Sequence, residues 1–124
     1  MEKITAVLRE ERLAMVVDAL GSLGYDGITI TNVRGHGRQR GVREQWRGIP
    51  FRVDLLPKVQ IDLVVDAQHT DAIIKAICDQ ACTGRVGDGK IWVTPVSRVV
   101  RVRTGEENSA VISSDSRQRE PQLV

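Results

Sequence analysis

The chain has few aromatic residues and almost no net charge, and both absences limit what it can bind. Only 3% of its 124 residues are aromatic, so it lacks the stacking platform that single-stranded nucleic acid requires. Eighteen basic residues against 16 acidic ones leave a net charge of +2, which does not favour a nucleic-acid partner. No apolar run approaches the roughly 20 residues of a membrane span, and MEKITAVLRE does not resemble a signal peptide. We therefore expect a cytoplasmic protein without direct membrane insertion.

Cysteine and histidine are also scarce, which argues against a metal centre or a thiol enzyme. Cys78 and Cys82 lie four residues apart on a predicted helix, and the histidines are His36 and His69. A disulfide is uncommon in the cytosol, and zinc needs more ligands than these scattered residues supply with confidence. We predict that both thiols are buried and structural. No Ser–His–Asp or Cys–His arrangement and no pair of carboxylates suggests catalysis, so we predict no catalytic residue and no enzyme.

The spacing of the apolar residues predicts an α+β fold of the ferredoxin-like type. Alternating residues predict strands at 3–9, 27–33, 59–65 and 91–96, and helical spacing predicts helices at 10–24 and 70–82. The order strand–helix–strand, repeated once, is the split βαβ pattern: a four-stranded antiparallel sheet with two helices on one face. Val7 and Val64 would lie on its other face, so we expect self-association to cover them. The domain would span residues 1–106, and residues 107–124 would form a polar, flexible tail.

Two glycine-rich segments interrupt this pattern. Residues 36–54 form a basic loop, which is too long for a hairpin turn and therefore suggests a function. Residues 83–90, TGRVGDGK, form the second loop. Neither fits a dinucleotide fingerprint or a Walker A motif, because the spacing or the order of elements is wrong. Backbone N–H groups of both could still bind an anion, although a flexible hinge and a tight turn remain alternatives. Asp88 could bind the loop's own amides or a ribose hydroxyl.

Two further groups of basic residues suggest anion binding. Arg101 and Arg103 would be neighbours on one face of a short strand at 99–103, where an anion would relieve their repulsion. The alternative is a solvated edge strand. Lys58, at the end of the long loop, could be an ordinary surface lysine or could bind a carboxylate. Together these features predict a site that holds phosphates rather than one that breaks bonds.

Five separated motifs carry a family resemblance. They are GHGRQRG at 35–41, WRG at 46–48, VDLLPKVQIDLVV at 53–65, TGRVGDGKIWVTPV at 83–96 and VRVRTGE at 100–106. In this order they resemble the nitrogen regulatory P-II signal-transduction family over about residues 1–106. The resemblance implies a homotrimer of ferredoxin-like subunits whose clefts bind ATP or ADP and, with Mg²⁺ and ATP, 2-oxoglutarate. It also implies a regulator that is not an enzyme and controls a nitrogen-assimilation target, such as an ammonium transporter, through the long loop.

The resemblance also assigns residues. The metal ligand would be Gln39, and 2-oxoglutarate would contact Gln39 and Lys58. The partner would contact Trp46, Arg47 and Phe51 in the long loop. The nucleotide would contact residues of both glycine-rich loops, of the sheet and of the C-terminal segment: Thr29, Gly35, Gly37, Arg38, Gln39, Asp62, Val64, Gly87, Asp88, Gly89, Lys90, Arg101 and Arg103.

The chain departs from the family pattern mainly in the long loop. Phe51 stands where many members have a modifiable Tyr, and without a hydroxyl it cannot be uridylylated or adenylylated. Ile49 replaces a phosphorylatable Ser of some members, Trp46 a common Tyr, and Asp62 a common Glu. The alternatives are a slow ATPase or an adenylate-energy sensor that does not respond to 2-oxoglutarate. A nucleic-acid binder using the basic loop is a third hypothesis, and steep salt dependence would favour it.

Overall fold

A four-stranded antiparallel sheet forms the centre of the protein, with two helices packed on one of its faces. The structure is a computed structural model that describes residues 1–36, 42–46, 49–53 and 55–112. The elements, in chain order, are β1 (Glu2–Leu8), α1 (Leu13–Ser22), β2 (Thr29–Gly35), β3 (Val42–Trp46), β4 (Ile49–Val53), β5 (Leu56–Val65), α2 (Thr70–Ala81), β6 (Gly89–Pro95) and α3 (Ser109–Ile112). The sheet order β2-β5-β1-β6 is that of the split βαβ fold, so the predicted fold class is confirmed.

The core lies between the sheet and the two long helices. Alternation along β1 and β5 turns every second residue inward, and α1 and α2 each contribute apolar residues at helical spacing. Fully burying one such side chain contributes about 1.5–3 kcal/mol. The core residues that these four elements contribute are Ile4, Ala6 and Leu8 of β1, Val16 and Leu20 of α1, Val59, Ile61, Leu63 and Val65 of β5, and Ile73, Ile77 and Ala81 of α2.

Strand β5 begins three residues earlier than predicted, and this brings the predicted site residue Lys58 into the sheet. Its pairing with β1 covers only residues 59–65, whereas its pairing with β2 continues to Leu56, opposite Gly35. Pro57 is tolerated because this end of β5 has a hydrogen-bonded neighbour on one side only. Lys58 consequently lies opposite Val33 as a strand residue rather than in a loop.

Two short strands lie within the predicted long loop at 36–54. Strands β3 and β4 pair antiparallel, from Val42 opposite Val53 to Trp46 opposite Ile49. Each strand of a two-stranded sheet has a free edge, which accommodates Pro50 within β4. Residues 37–41, 47–48 and 54 lie outside the described residues, as do the side chains of β3 and β4.

The predicted strand at 99–103 is also wrong. Val100 forms an isolated bridge with Glu107, and the chain between them turns back on itself. The N–H of Arg101 donates to the carbonyl of Glu106 at 2.8 Å, and the N–H of Gly105 donates to the carbonyl of Arg101 at 2.8 Å. Helix α3 follows, and its Ile112 is only 7% exposed. Residues 107–112 of the predicted tail therefore fold back, and 113–124 lie outside the described residues.

The prediction of buried cysteines is wrong, because both thiols are exposed. Helix α2 buries Ile73, Ile77 and Ala81. Each step along an α-helix turns the side chain by about 100°, so the residue after a buried one points away from the core. Cys78 follows Ile77, and Cys82 follows Ala81. No helix within the described residues is long and apolar enough to cross a membrane.

Candidate functional site

The glycine-rich segment between α2 and β6 is organised by Asp88. Its Oδ2 accepts hydrogen bonds from the backbone N–H groups of Thr83 at 2.8 Å and Gly84 at 3.0 Å. Its Oδ1 accepts one from the Thr83 hydroxyl. The bonds from Thr83 and from the guanidinium of Arg9 hold the pKa of Asp88 far below its usual range. Asp88 is therefore an ionised residue that binds the loop's own amides, the first of the two roles considered for it.

Arg9 attaches this loop to the end of β1. Its Nε donates to Asp88 Oδ1 at 3.0 Å, and its Nη2 donates to the carbonyl oxygen of Val86 at 2.8 Å. Arg9 is only 7% exposed, so its charge lies almost wholly inside the protein. The sequence does not reveal this role, because Arg9 stands there only as a basic residue at the end of a predicted strand.

Lys58 joins the start of β5 to the same loop. Its Nζ donates to the carbonyl oxygen of Gly87 at 2.6 Å, and the residue is only 8% exposed. Burial lowers the pKa of Lys58, the positive charge of Arg9 lowers it further, and Glu11 and Asp88 raise it. Lys58 is therefore not an ordinary surface lysine.

Gly35 makes room for the stem of Lys58. A Cβ atom on Gly35 would lie 3.1 Å from Cγ of Lys58, tighter than most real contacts of this kind. Gly35 is the last residue of β2, where the long loop leaves the sheet. The Lys58 side chain thus lies beside the root of the long loop and also contacts the carbonyl of Gly87.

A second polar cluster lies on the face of the sheet that the helices leave open. Asp62 Oδ1 accepts a hydrogen bond from Thr5 Oγ1 at 2.6 Å, and Oδ2 accepts one from Gln60 Nε2 at 3.1 Å, while Lys3 Nζ lies 3.9 Å away. Burial raises the pKa of Asp62, but these three partners lower it more, so the net shift is downward. Asp62 therefore remains an ionised acceptor on the open face.

Residues predicted to contact the nucleotide or 2-oxoglutarate share this open face along β5. Side chains two apart on a strand point the same way, which places Lys58, Asp62 and Val64 on one face. Thr29 of β2 lies directly opposite Asp62 and is exposed. The sheet therefore presents one row of predicted site residues, with Lys58 at the end nearest the glycine-rich loop.

Arg101 and Arg103 lie in the C-terminal turn rather than on a strand. The Nη1 of Arg101 donates to Glu106 Oε1 at 2.9 Å, and its Nη2 donates to the carbonyl oxygen of Ala110 at 3.3 Å. Arg103 is exposed. These contacts hold Arg101 within its own segment. They do not support the prediction that the two guanidiniums are neighbours on one face of a strand.

The structure brings together Gly35, Lys58, Gly87 and Asp88 near one end of the sheet, beside the start of β6. Lys90 lies there opposite Val7 and is exposed. The predicted residues Gly37, Arg38, Gln39 and Arg47 lie outside the described residues, and Trp46 and Phe51 are described in their backbone alone. Within the part of the chain that is described, no group of three or more His, Cys, Asp or Glu residues could hold a metal ion. The arrangement offers ammonium groups, exposed glycine backbone and an anchored loop, which suit phosphate.

Comparison with known proteins gives the family. The sequence profile of the nitrogen regulatory protein P-II matches residues 1–106. The nitrogen regulatory protein P-II 1 of Methanothermobacter thermautotrophicus is 51% identical over 112 residues, covering 90% of this chain and 97% of the relative. The nitrogen regulatory protein P-II of Pasteurella multocida is 47% identical, and the P-II 1 protein of Escherichia coli K12 is 46% identical; each match covers 90% of this chain and all of the relative. The chain belongs to the nitrogen regulatory protein P-II family.

Membership of this family supports a signal-transduction role in the regulation of nitrogen metabolism. The relatives are named as regulatory proteins, which agrees with the prediction that the chain is a regulator. The resemblance seen in the separated sequence motifs is thereby confirmed.

Proposed function

We propose that the protein is a homotrimeric sensor that binds ATP or ADP in clefts between its subunits and signals through its long loop. The observation that carries this proposal is the junction of Lys58 with the loop at 83–90. Lys58 Nζ contacts Gly87, and Asp88 and Arg9 hold the rest of the loop in place. A loop pre-ordered in this way binds an anion without a large entropic cost for ordering itself.

The phosphates would be bound by backbone N–H groups of the glycine-rich loop, by Lys90 and by Arg101 and Arg103 of a neighbouring subunit. Lys90 and Arg103 are both exposed in the single chain. Arg101 is held by Glu106 and Ala110, which fixes the turn that carries Arg103. Guanidinium groups suit phosphate because their fork of donors matches its oxygens.

The 2-oxoglutarate site would use Lys58 and Gln39, with Mg²⁺ held by Gln39 and by oxygens of ATP and 2-oxoglutarate. Lys58 supports this proposal because it is a nearly buried ammonium that donates to the Gly87 carbonyl and lies beside Gly35 at the root of the long loop. Burial lowers its pKa. A ligand carboxylate would attract the ammonium of Lys58 and stabilise its charged form, and this favours binding.

The trimer would cover the open face of the sheet. Trp92 of β6 is 40% exposed there, and Val7 and Val64 are partly exposed. Trp92 lies opposite Thr5, and Lys3, Thr5 and Val7 alternate with core residues along β1. Association of three copies through this face would bury the apolar side chains and close the clefts around Lys58 and Lys90.

The long loop would dock on a partner in nitrogen assimilation, such as an ammonium transporter or an enzyme. Trp46, Arg47 and Phe51 would make the contact. The loop leaves the sheet at Gly35 and returns at Leu56, next to Lys58. Ligands would change docking because they bind the alternative conformations of the loop with different affinities.

Calorimetric titration of the full chain with ATP and ADP, with and without Mg²⁺ and 2-oxoglutarate, tests the proposal. ATP should bind, and 2-oxoglutarate should strengthen its binding only when Mg²⁺ is present. Lys58→Met keeps the buried stem and removes the ammonium, so it should abolish the effect of 2-oxoglutarate. Lys75→Met is the matched control, since Lys75 is exposed on α2 and pairs only locally with Asp79.

Three outcomes separate the alternatives. If the affinity for ATP were unaffected by 2-oxoglutarate, the 2-oxoglutarate site would be refuted and the protein would be an adenylate-energy sensor. Steady release of phosphate during the titration would favour a slow ATPase. Failure to bind either nucleotide would refute the proposed function as a whole.

Mixing two variants tests whether a neighbouring subunit contributes residues to each nucleotide site. Lys90→Ala removes a cation from one side of the proposed cleft, and Arg103→Ala removes one from the other. Each variant alone should bind ATP weakly at every site. When the two are unfolded together and refolded as mixed trimers, some clefts should combine intact Lys90 with intact Arg103 and regain tight binding. No recovery in the mixture would refute a shared site.

A further inference from the structure

We propose that Cys78 and Cys82 form a dithiolate site for a soft, two-coordinate cation of the Cu(I) type on the outer surface of α2. Both thiols are exposed, and they are the only two cysteines in the chain. The proposal concerns the exposed face at the end of α2 and does not depend on the proposed function.

The backbone places the two thiols on the same side of the helix end. Cys78 lies within α2, and Cys82 is the residue that ends it. The N–H of Cys82 donates to the carbonyl of Cys78 at 3.0 Å, which is the usual helical bond between residues four apart. The φ of Cys82 is −70°, close to the helical value, and only its ψ of 125° is extended. Since φ fixes the direction of Cβ, the Cys82 side chain projects as that of a helical residue, above Cys78.

The separation favours a bridging ion over a disulfide. Cβ atoms four residues apart on a helix are about 5–6 Å apart, whereas a disulfide needs about 3.5–4.5 Å. A metal–sulfur bond of about 2.3 Å gives about 4.6 Å between two sulfurs on opposite sides of an ion. An ion therefore fits the undistorted helix end, and a disulfide would require the last turn to be rebuilt.

The donor set selects the kind of ion. Zn²⁺ in protein sites takes four ligands, and within the described residues no third His, Cys, Asp or Glu joins these thiols to form such a group. Asp79, which follows Cys78, is paired with Lys75 at 2.7 Å. Thiolates prefer soft ions, and Cu(I) is stable between two of them. Binding would release one proton from each thiol to solvent and form two Cu–S bonds without any change of oxidation state.

Anaerobic titration of the full chain with Cu(I), in competition with a coloured Cu(I) chelator, tests this site. The native chain should bind one Cu(I) per chain, and Cys78→Ser and Cys82→Ser should each weaken binding by about 100-fold or more. Met15→Leu is the control, because Met15 is a soft and partly exposed side chain on the other long helix. It should bind Cu(I) as the native chain does. Circular dichroism of each variant checks that the fold is retained.

Hydrogen exchange and native mass spectrometry locate the ion. If the ion bridges the last turn of α2, exchange of the Cys82 amide should slow on loading, because that turn can no longer fray. Unchanged exchange would refute the bridge. The proposal would also be overturned by single serine variants that bind as tightly as the native chain, by one ion shared between two chains, or by Zn²⁺ binding as strongly as Cu(I). A disulfide between the two residues that forms readily in the metal-free chain would show that the assumed separation is wrong.

Discussion

Replacing Gly89 with alanine should destabilise the protein more than the same change at Gly84 or Gly27, because it damages the junction between the glycine-rich loop and β6. The φ of Gly89 is +105°, and an added Cβ would lie 1.7 Å from the carbonyl oxygen of Val7 and 2.8 Å from its carbon. Real Cβ atoms essentially never come closer than 3.0 Å, so the two strands must separate by about 1.3 Å. The neighbouring atom belongs to backbone and cannot swing aside.

Two costs add at this position. A residue other than glycine at such a φ carries about 1–2 kcal/mol of strain. Separating β1 from β6 at Leu8–Gly89 and Val7–Lys90 weakens about two backbone hydrogen bonds, each contributing about 1 kcal/mol. The expected loss of roughly 3–4 kcal/mol is a large part of the 5–15 kcal/mol typical of a domain.

Two other glycines serve as controls. Gly84 has a φ of +81° and nothing within 4 Å of an added Cβ, so Gly84→Ala should cost only the strain, about 1–2 kcal/mol. Gly27 has neither a positive φ nor a close neighbour, and Gly27→Ala should change stability little. Urea unfolding at one fixed protomer concentration measures all three, because association affects apparent stability. If Gly89→Ala were no more destabilising than Gly84→Ala, the clash with Val7 would not exist as described.

Two further predictions concern the anchors of the loop. Arg9→Met should lower the free energy of unfolding by about 1.5–3 kcal/mol, because two hydrogen bonds of a nearly buried charge are lost. Arg98→Met, at an exposed pair with Glu107, should cost at most about 1 kcal/mol in the same urea assay; equal effects would contradict the role given to Arg9. The pKa of Asp88 is lowered by folding, so its contribution to stability is complete above its unfolded pKa of about 3.9 and is lost as the pH falls further. Asp88→Asn should flatten the acid limb of urea midpoints measured from pH 6 to pH 2, and an unchanged limb would show that other carboxylates dominate it.

The sheet and the long helices could be predicted because their apolar residues recur at regular spacings in the sequence. Ile4, Ala6 and Leu8 alternate along β1, and Ile73 and Ile77 recur at helical spacing along α2. Because one face of each strand or helix is buried, the spacing of its apolar residues identifies the type of element and the side chains that point to the core. The family resemblance came from five separated motifs, of which the one at 83–96 covers the glycine-rich loop and strand β6.

The errors have physical causes. Cys78 was judged from its residue type, which is usually buried, although one step from Ile77 turns it outward. The pairing of β3 with β4 was missed because glycine, proline and arginine interrupt that segment, and the two strands form a sheet of their own. The strand at 99–103 was wrong because Arg101 and Glu106 pair within a turn, a local contact that alternation does not reveal.

Lys58 shows why a site of this kind can respond to a ligand while the fold stays the same. Its stem packs beside Gly35, where the long loop begins, and its ammonium holds the carbonyl of Gly87. Both contacts depend on where one side chain lies. A ligand carboxylate that drew the ammonium away from Gly87 would change the conformation of the side chain whose stem lies beside Gly35. The core residues of β5, Val59 and Ile61, are fixed by packing on the opposite face and need not move. In the proposed function, a ligand bound at Lys58 would act on the root of the long loop through this single side chain, with the sheet as the rigid support.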